Sequence, residues 1–324
     1  MLTLVLDGKE IMAEQGATIL EVARKNSIPI PALCYHPALE EYGACRLCTV
    51  EVVARGRKRL VTSCNYTVQE GIEVYTNSEE VRKARKVILE LLLARCPNVE
   101  LIQNLAAEYG VERPRFLLED ENCILCGLCT RICKERMGIG AIGFMGRGID
   151  QKISTPFDKL SDECLTCGAC AFVCPTGAIN LKDISKNEPK PIPSEFNLGL
   201  SSRGAIYTPY PQAVPNTPVI DREHCIHFLT GQCRICESFC ETGAIKYDQQ
   251  DEVIKVDVGA IVLTPGFDVF DASVFSNYGY GTFPNVITSI KLERILAASG
   301  PSQGQLVRPS DQKVPQKIAW IQCV

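Results

Sequence analysis

The chain has 324 residues, 46% of them hydrophobic, with 34 basic against 38 acidic side chains and a formal net charge of -4. That length suits two or three domains with cores of their own, and the slightly acidic balance argues against nucleic acid and for redox proteins as partners. No basic leader with a short apolar run follows Met1 and no stretch of about eighteen apolar residues occurs, so a cytoplasmic protein without membrane insertion is expected. Its 18 cysteines point to metal ligation in a reducing compartment, because disulfide scaffolds of this density are normally far shorter.

Residues 1–95 read as a β-grasp domain. Met1–Leu6, Asp7-Gly8 and Lys9–Met12 predict a hairpin with an Asp-Gly turn, and Thr18–Arg24 a short amphipathic helix. Cys34, Cys45, Cys48 and Cys64 then follow as C-x10-C-x2-C-x15-C, an order of four thiolates that suits a [2Fe-2S] cluster. Gly43 and Ala44 are small, which lets backbone N–H groups turn toward the sulfurs. A Rieske centre needs two histidines on one iron, and after His36 none occurs until His224. A structural zinc at Cys45 and Cys48 is the alternative for that pair.

Glu79–Gly110 carries helical periodicity, with the connector between modules placed at 96–118. Cys96 lies there without further cysteines or a histidine beside it and reads as a small buried hydrophobe.

Residues 119–183 carry the most specific signal. Cys123, Cys126, Cys129 and Cys133 are spaced C-x2-C-x2-C-x3-C, and Cys164, Cys167, Cys170 and Cys174 repeat that spacing. In two-cluster ferredoxins the fourth cysteine of each run serves the other cluster. The expected [4Fe-4S] sets are therefore Cys123, Cys126, Cys129 with Cys174, and Cys164, Cys167, Cys170 with Cys133. Zinc does not call for three cysteines within seven residues twice over. Gly127 and Gly168 stand where the loop backbone must approach the cluster. Gly138, Gly140 and Gly143 satisfy G-x-G-x-x-G, but they follow a cysteine run rather than a strand, so a hairpin over 137–148 is predicted in place of a dinucleotide loop.

Residues 184–217 form a proline-rich stretch expected to span between modules as an extended linker. In 218–250, Cys225, Cys233, Cys236 and Cys240 supply a third [4Fe-4S] set as C-x7-C-x2-C-x3-C, and Thr242–Ile245 echoes Thr176–Ile179. His224 and His227 flank Cys225 and are expected to pack or hydrogen-bond near the cluster. In 251–324, Ile254, Val256 and Val258 alternate ahead of an Ala260–Leu263 run, which predicts strands, as does Lys317–Val324. Cys323 is either a ligand completed by another polypeptide or a buried cysteine. A strand ending at 324 would leave an open edge or need a partner.

Arg203–Tyr207, Tyr210–Asn216, Val219–Cys225, Val258–Phe267, Tyr278–Gly281, Phe283–Thr288, Val307–Asp311 and Ile318–Val324 together resemble the middle of the heterodisulfide reductase A-subunit family over about 155–324. Residues 1–183 resemble the cluster-bearing N-terminal part of NADH dehydrogenase large subunits, NAD-reducing hydrogenase diaphorase subunits and [FeFe] hydrogenases. The implied fold is a modular α+β chain: a β-grasp [2Fe-2S] domain, a two-cluster ferredoxin-like domain, and a third ferredoxin-type segment joined to a partial doubly wound flavoprotein-like domain. The A-subunit family implies FAD and often electron bifurcation. Here the early glycine-rich loop is absent and the later turn reads Thr264-Pro265-Gly266, so FAD is expected only with a partner or a missing segment.

The expected function is that of an iron-sulfur electron-transfer subunit in a cytoplasmic anaerobic oxidoreductase complex. It would join a flavin/NAD(H), hydrogenase or formate dehydrogenase-type partner to a heterodisulfide-reductase-type partner. No acid, base or nucleophile constellation is visible, so conduction rather than bond chemistry is expected of this chain. The alternatives are an iron-sulfur redox sensor or scaffold, and an FAD-containing bifurcating subunit.

Overall fold

Asp7 and Gly8 both adopt positive φ, 48° and 80°, the geometry of a two-residue turn whose twist matches its strands. The turn joins β1 (Leu2–Leu6) to β2 (Lys9–Ala13) in an antiparallel ladder. Helix α1 (Ile19–Lys25) follows. The Thr18 hydroxyl accepts from the Glu21 amide while the Glu21 carboxylate accepts from the Thr18 amide, a capping box. Strands β3 (Thr49–Ala54), β4 (Arg57–Thr62) and β5 (Glu73–Tyr75) complete a five-stranded mixed sheet in the order β2-β1-β5-β3-β4, with β5 parallel to β1. Leu4, Leu6, Val50, Val52 and Val74 from the sheet pack on Ile19, Leu20 and Ala23 of α1. Each such buried aliphatic side chain contributes about 1.5–3 kcal/mol. The expected β-grasp hairpin and helix are thus present.

The computed structural model describes residues 1–322 and falls into two compact units: Met1–Pro189 with Thr230–Gly243, and Lys190–Leu229 with the chain from Ala244 onward. In the first unit, α2 (Glu79–Arg95) and α3 (Glu100–Glu108) replace the single helical stretch expected from periodicity. The break falls at Cys96-Pro97, where the residue before proline is pushed out of the helical region; Cys96 has φ -124° and ψ 64°. Cys96 is fully buried in the core, beside Leu89, Leu93 and Ile102.

Residues 119–189 contain little regular structure. Helix α4 (Leu128–Arg131) runs into one wide turn at Ile132–Arg136, β6 (Gly143–Met145) pairs with β7 (Lys152–Ser154), and α5 (Ala169–Phe172) is a single turn. The hairpin predicted over 137–148 therefore lies a few residues later. Its reversal uses Gly146 at φ +72°, where a Cβ would stand 2.5 Å from the Asp150 carbonyl oxygen. The G-x-G-x-x-G residues run into strand β6, which Gly143 opens, and not into an α-helix, as expected for a coincidental match.

In the second unit the proline-rich stretch carries two short ladders, β8 (Ile192–Pro193) with β9 (Ser202–Arg203) and β10 (Ile206–Tyr207) with β11 (Val219–Ile220). Arg203 ties them through Glu195 and Asp221 at 2.6 and 2.9 Å. The segment Ile226–Thr230 (α6) follows, the next short helix, Ile235–Ser238 (α7), belongs to the first unit, and Ser289–Leu296 (α8) is the longest helix beyond residue 244 among the described residues.

The strands expected at 253–263 do not form: the described residues 251–270 have no regular secondary structure, and Val253, Ile254, Val256, Ile261 and Val262 are exposed. The same holds for 317–322, while Cys323 and Val324 lie outside the described residues. The physical reason is pairing. A buried strand of the doubly wound type needs hydrogen-bonded neighbours and helices on both faces, and 251–322 supplies neither. Among the described residues 251–322 no doubly wound sheet forms, although its apolar pattern is plain in the sequence.

Candidate iron-sulfur sites

The first site lies on the loop between α1 and β3 and at the end of β4. Cys34, Cys45, Cys48 and Cys64 are all buried, and their thiols meet: Cys34 hydrogen-bonds with Cys45 and Cys64, and Cys48 with Cys64. Gly43 (φ +69°) and Arg46 (φ +60°) bend the loop inward. The Cys45 amide donates to Cys34 Sγ at 3.4 Å, and the Ala44 amide also reaches that sulfur. This is the role expected of the small residues before Cys45.

Thiol contacts and these two amides hold Cys34 well below the usual thiol range, and the Cys64 thiol brings Cys48 down to about 6. The same contacts, with burial, push Cys45 and Cys64 up. Four sulfurs this crowded must share protons, and a cationic iron pair relieves that crowding, so the donor set fits a thiolate-held cluster.

Two features around this site carried no obvious sequence signal. Ser63 is fully buried and donates through Oγ to the Cys48 carbonyl at 2.8 Å. Arg85 is buried on α2 and donates to the carbonyls of Leu47 and Thr49 at 3.1 and 2.9 Å, bracketing Cys48, and to the Tyr109 hydroxyl. The available clue was its register, one turn from both Val81 and Leu89 on the apolar face of α2. His36 Nδ1 accepts from the Ala38 amide at 3.2 Å, and its pKa is lowered by burial and by the nearby Arg131 and Arg136 guanidinium groups.

The two cysteine runs of 119–183 fold as near copies. Leu125 and Thr166 have φ 53° and 52°, Gly127 and Gly168 have φ 72° and 74°, and each glycine opens a one-turn helix. The left-handed conformation accounts for both glycines; at Gly127 a Cβ would also stand 3.1 Å from Phe144 and 3.3 Å from Tyr42. The Ala141 amide donates to Cys133 Sγ and the Ala178 amide to Cys174 Sγ, both at 3.3 Å.

The chain crosses between these copies. Burial first, then the charge of Cys174 among its neighbours, raises Cys123, Cys126 and Cys129, the last two to about 11 and 12. Likewise Cys167 and Cys170 are raised by burial and by Cys133 and Cys164, Cys170 to about 11. Cys133, Cys164, Cys167 and Cys170 line one pocket, otherwise walled by apolar side chains such as Met137, Ile142, Leu181 and Ile184. Four thiols gathered at one apolar-walled pocket are a donor set suited to exchange protons for iron.

In the third run, Arg234 takes φ 56° ahead of α7, as Gly127 and Gly168 do ahead of their helices, but the preceding cysteine, Cys233, is also left-handed at φ 72°, unlike Cys126 and Cys167. Cys240 Sγ lies 3.4 Å from Thr242 Oγ1, as Cys174 Sγ lies 3.6 Å from Thr176 Oγ1. Cys233, Cys236 and Cys240 belong to the first unit and Cys225 to the second. His224 Nδ1 bonds Asp221 at 2.8 Å, and His227 packs on Tyr247 at 4.1 Å between centroids. Among the described residues no group of three or more His, Cys, Asp or Glu side chains is placed to hold a metal ion, so the sites rest on cysteine spacing, sulfur contacts and apolar walls.

The 2Fe-2S iron-sulfur cluster binding domain family matches residues 1–79, and the 4Fe-4S dicluster domain family matches 122–178. Over 161 residues, half of this chain and 22% of the relative, the chain is 46% identical to the iron-sulfur A-subunit of CoB--CoM heterodisulfide reductase from Methanocaldococcus jannaschii. It is 48% identical over 163 residues, 50% of this chain and 22% of the relative, to the second iron-sulfur A-subunit of the same reductase from Methanopyrus kandleri. The matches therefore span about a fifth of the length of these curated relatives. A solved NAD+-reducing [NiFe]-hydrogenase aligns at 31% identity and TM-score 0.48, covering 58% of this chain and 90% of that one. The resemblance to the heterodisulfide reductase A-subunit is borne out, and the chain carries a 2Fe-2S domain followed by a 4Fe-4S dicluster domain.

Proposed function

We propose that this chain is an iron-sulfur electron-transfer subunit of an anaerobic oxidoreductase complex. The observation that carries the reading is the meeting of four buried thiols at Cys34, Cys45, Cys48 and Cys64, next in the chain to two interleaved sets of four. Residues 1–95 would hold a [2Fe-2S] cluster on those four cysteines. Residues 119–183 would hold two [4Fe-4S] clusters, on Cys123, Cys126, Cys129 and Cys174 and on Cys133, Cys164, Cys167 and Cys170. Cys225, Cys233, Cys236 and Cys240 form the third such set by their spacing. Bound clusters supply one-electron chemistry.

The protein's own part is to present thiolates, aim amides at Cys34, Cys133 and Cys174, and exclude water with apolar walls. Redox proteins of the heterodisulfide reductase type on one side and flavin-, NAD(H)-, hydrogenase- or formate dehydrogenase-type proteins on the other are the proposed partners, in the cytoplasm. Among the described residues no helix is long and apolar enough to cross a membrane.

The test is anaerobic purification with iron, zinc and flavin measured per polypeptide. About fourteen iron atoms, from one two-iron and three four-iron clusters, without flavin, is the expected result. Stoichiometric FAD would move the chain to the flavoprotein reading, and low iron with zinc would remove the four-cluster assignment.

A further inference from the structure

The ligand loop of the first site and that of the next are held together by guanidinium groups reading backbone carbonyls. Arg131, between Cys129 and Cys133, donates through Nη2 to the carbonyl of Cys34 itself at 2.8 Å and through Nη1 to the carbonyl of Glu40. Its guanidinium carbon lies 5.0 Å from the centre of the Tyr42 ring. Tyr42 in turn closes on Gly127, the residue after Cys126. One turn on, Arg136 donates to the Ala38 carbonyl, and Glu135 accepts from the Glu40 amide at 3.4 Å.

Arg131 is engaged in a way that leaves its charge uncompensated. Among the described residues its hydrogen-bond partners are the carbonyls of Cys34 and Glu40 rather than a carboxylate, and its buried Nε–H has no acceptor. An arginine that only docked two loops would do as well at the surface with a carboxylate. This one is half-buried and stands covalently two residues from a ligand of the second set, while hydrogen-bonding the peptide of a ligand of the first.

We propose that Arg131 is a positioning residue for electron exchange between the [2Fe-2S] site and the [4Fe-4S] site of Cys123, Cys126, Cys129 and Cys174. It fixes the Cys34 peptide against the second ligand loop and keeps a permanent positive charge between the two. The step it serves moves one electron from one cluster to the other, oxidising the first and reducing the second, with no bond made or broken and no proton moved. The inference rests on the electron-transfer reading above. A fixed cation favours the more negative, reduced state of both clusters and so raises their potentials. The planar fork spans two carbonyls at once, which lysine cannot do.

The experiment compares the full-length, iron-loaded chain with Arg131→Met and Arg131→Lys, by iron content, by redox titration followed by electron paramagnetic resonance, and by spin relaxation of the reduced [2Fe-2S] signal. The expected result is unchanged iron in both variants. Arg131→Met shifts the [2Fe-2S] midpoint to a more negative potential, and Arg131→Lys keeps the midpoint but loses part of the relaxation enhancement caused by the neighbouring reduced cluster. A wild-type midpoint in iron-replete Arg131→Met together with wild-type relaxation in Arg131→Lys would overturn the proposal. Should Arg131→Met lose iron, Arg131→Lys alone decides, by whether its relaxation enhancement is weakened or intact. Absence of either signal from the unsubstituted protein would instead sink the cluster assignment.

Discussion

In the sheet-built region of residues 1–79, the core around Leu4, Ile19, Val50 and Val74 is mainly aliphatic and takes in two of the four cysteines, Cys48 and Cys64, while Cys34 and Cys45 pack in the second core cluster. In the region 122–184 the order is reversed: Cys126, Cys129, Cys133, Cys164 and Cys170 are themselves core residues, interleaved with Ile124, Leu128, Ile132 and Ile142. The first region has five strands and a capped helix to hold its shape. The second has one-turn helices and a three-residue hairpin. A short helix of this kind is far below the length that is stable by itself. The first site is thus half seated in a regular sheet core, through Cys48 and Cys64, while the other two sites are part of what makes the fold.

Removing the metal tests that contrast most severely. Chelation of iron from the reduced protein is expected to abolish hydrogen-exchange protection through 124–184, while β1, β3 and β5 keep theirs, because metal-binding free energy in such a segment is folding free energy. Equal loss in both regions would end the distinction.

Next in size, Leu4→Ala in the fully buried sheet core should cost about 3 kcal/mol, within the usual range for such truncations. Denaturant unfolding should return that loss with or without iron. Dependence of the loss on iron would mean that the sheet leans on the cluster.

Arg85→Ala is expected to cost about 2–3 kcal/mol, since it leaves the buried Leu47 and Thr49 carbonyls without their donor. Because those carbonyls bracket Cys48, the same variant should lose iron from the [2Fe-2S] site faster under chelator while the other sites keep theirs. Uniform loss would place Arg85 in general stability alone.

The smallest effect belongs to the cap. Thr18→Ala removes the hydroxyl that accepts from the Glu21 amide, and about 1 kcal/mol of stability is expected to go with it. Far-ultraviolet circular dichroism and iron content should stay as in the unsubstituted chain, and a change in iron would tie α1 to the ligand loop.

Much of this was legible in the residues. The Asp7-Gly8 turn, the Thr18 start of α1 and the small residues before Cys45 follow from local rules that act over a few positions. Arg85 and Arg131 were not legible, because their function lies in whose carbonyls they meet, 36 to 97 positions away in the chain. The strands expected at 253–263 failed for the opposite reason. Alternation of Ile254, Val256 and Val258 reports a willingness to pair, and pairing depends on neighbours that the described part of this chain does not provide.

Residue order alone sets the chemistry on offer: sixteen cysteines in four spaced sets, the turn and cap signals around the first, and glycines where two loops need left-handed backbone. These are properties of spacing and of single-residue sterics, which no tertiary context alters. Which groups face one another is settled only when the chain folds back on itself. Folding brought Cys174 toward Cys123, Cys126 and Cys129, seated Arg85 across the Cys48 peptide, and set Arg131 against the Cys34 carbonyl. Contacts of that kind form because polar groups taken out of water must find partners, wherever along the chain those partners lie.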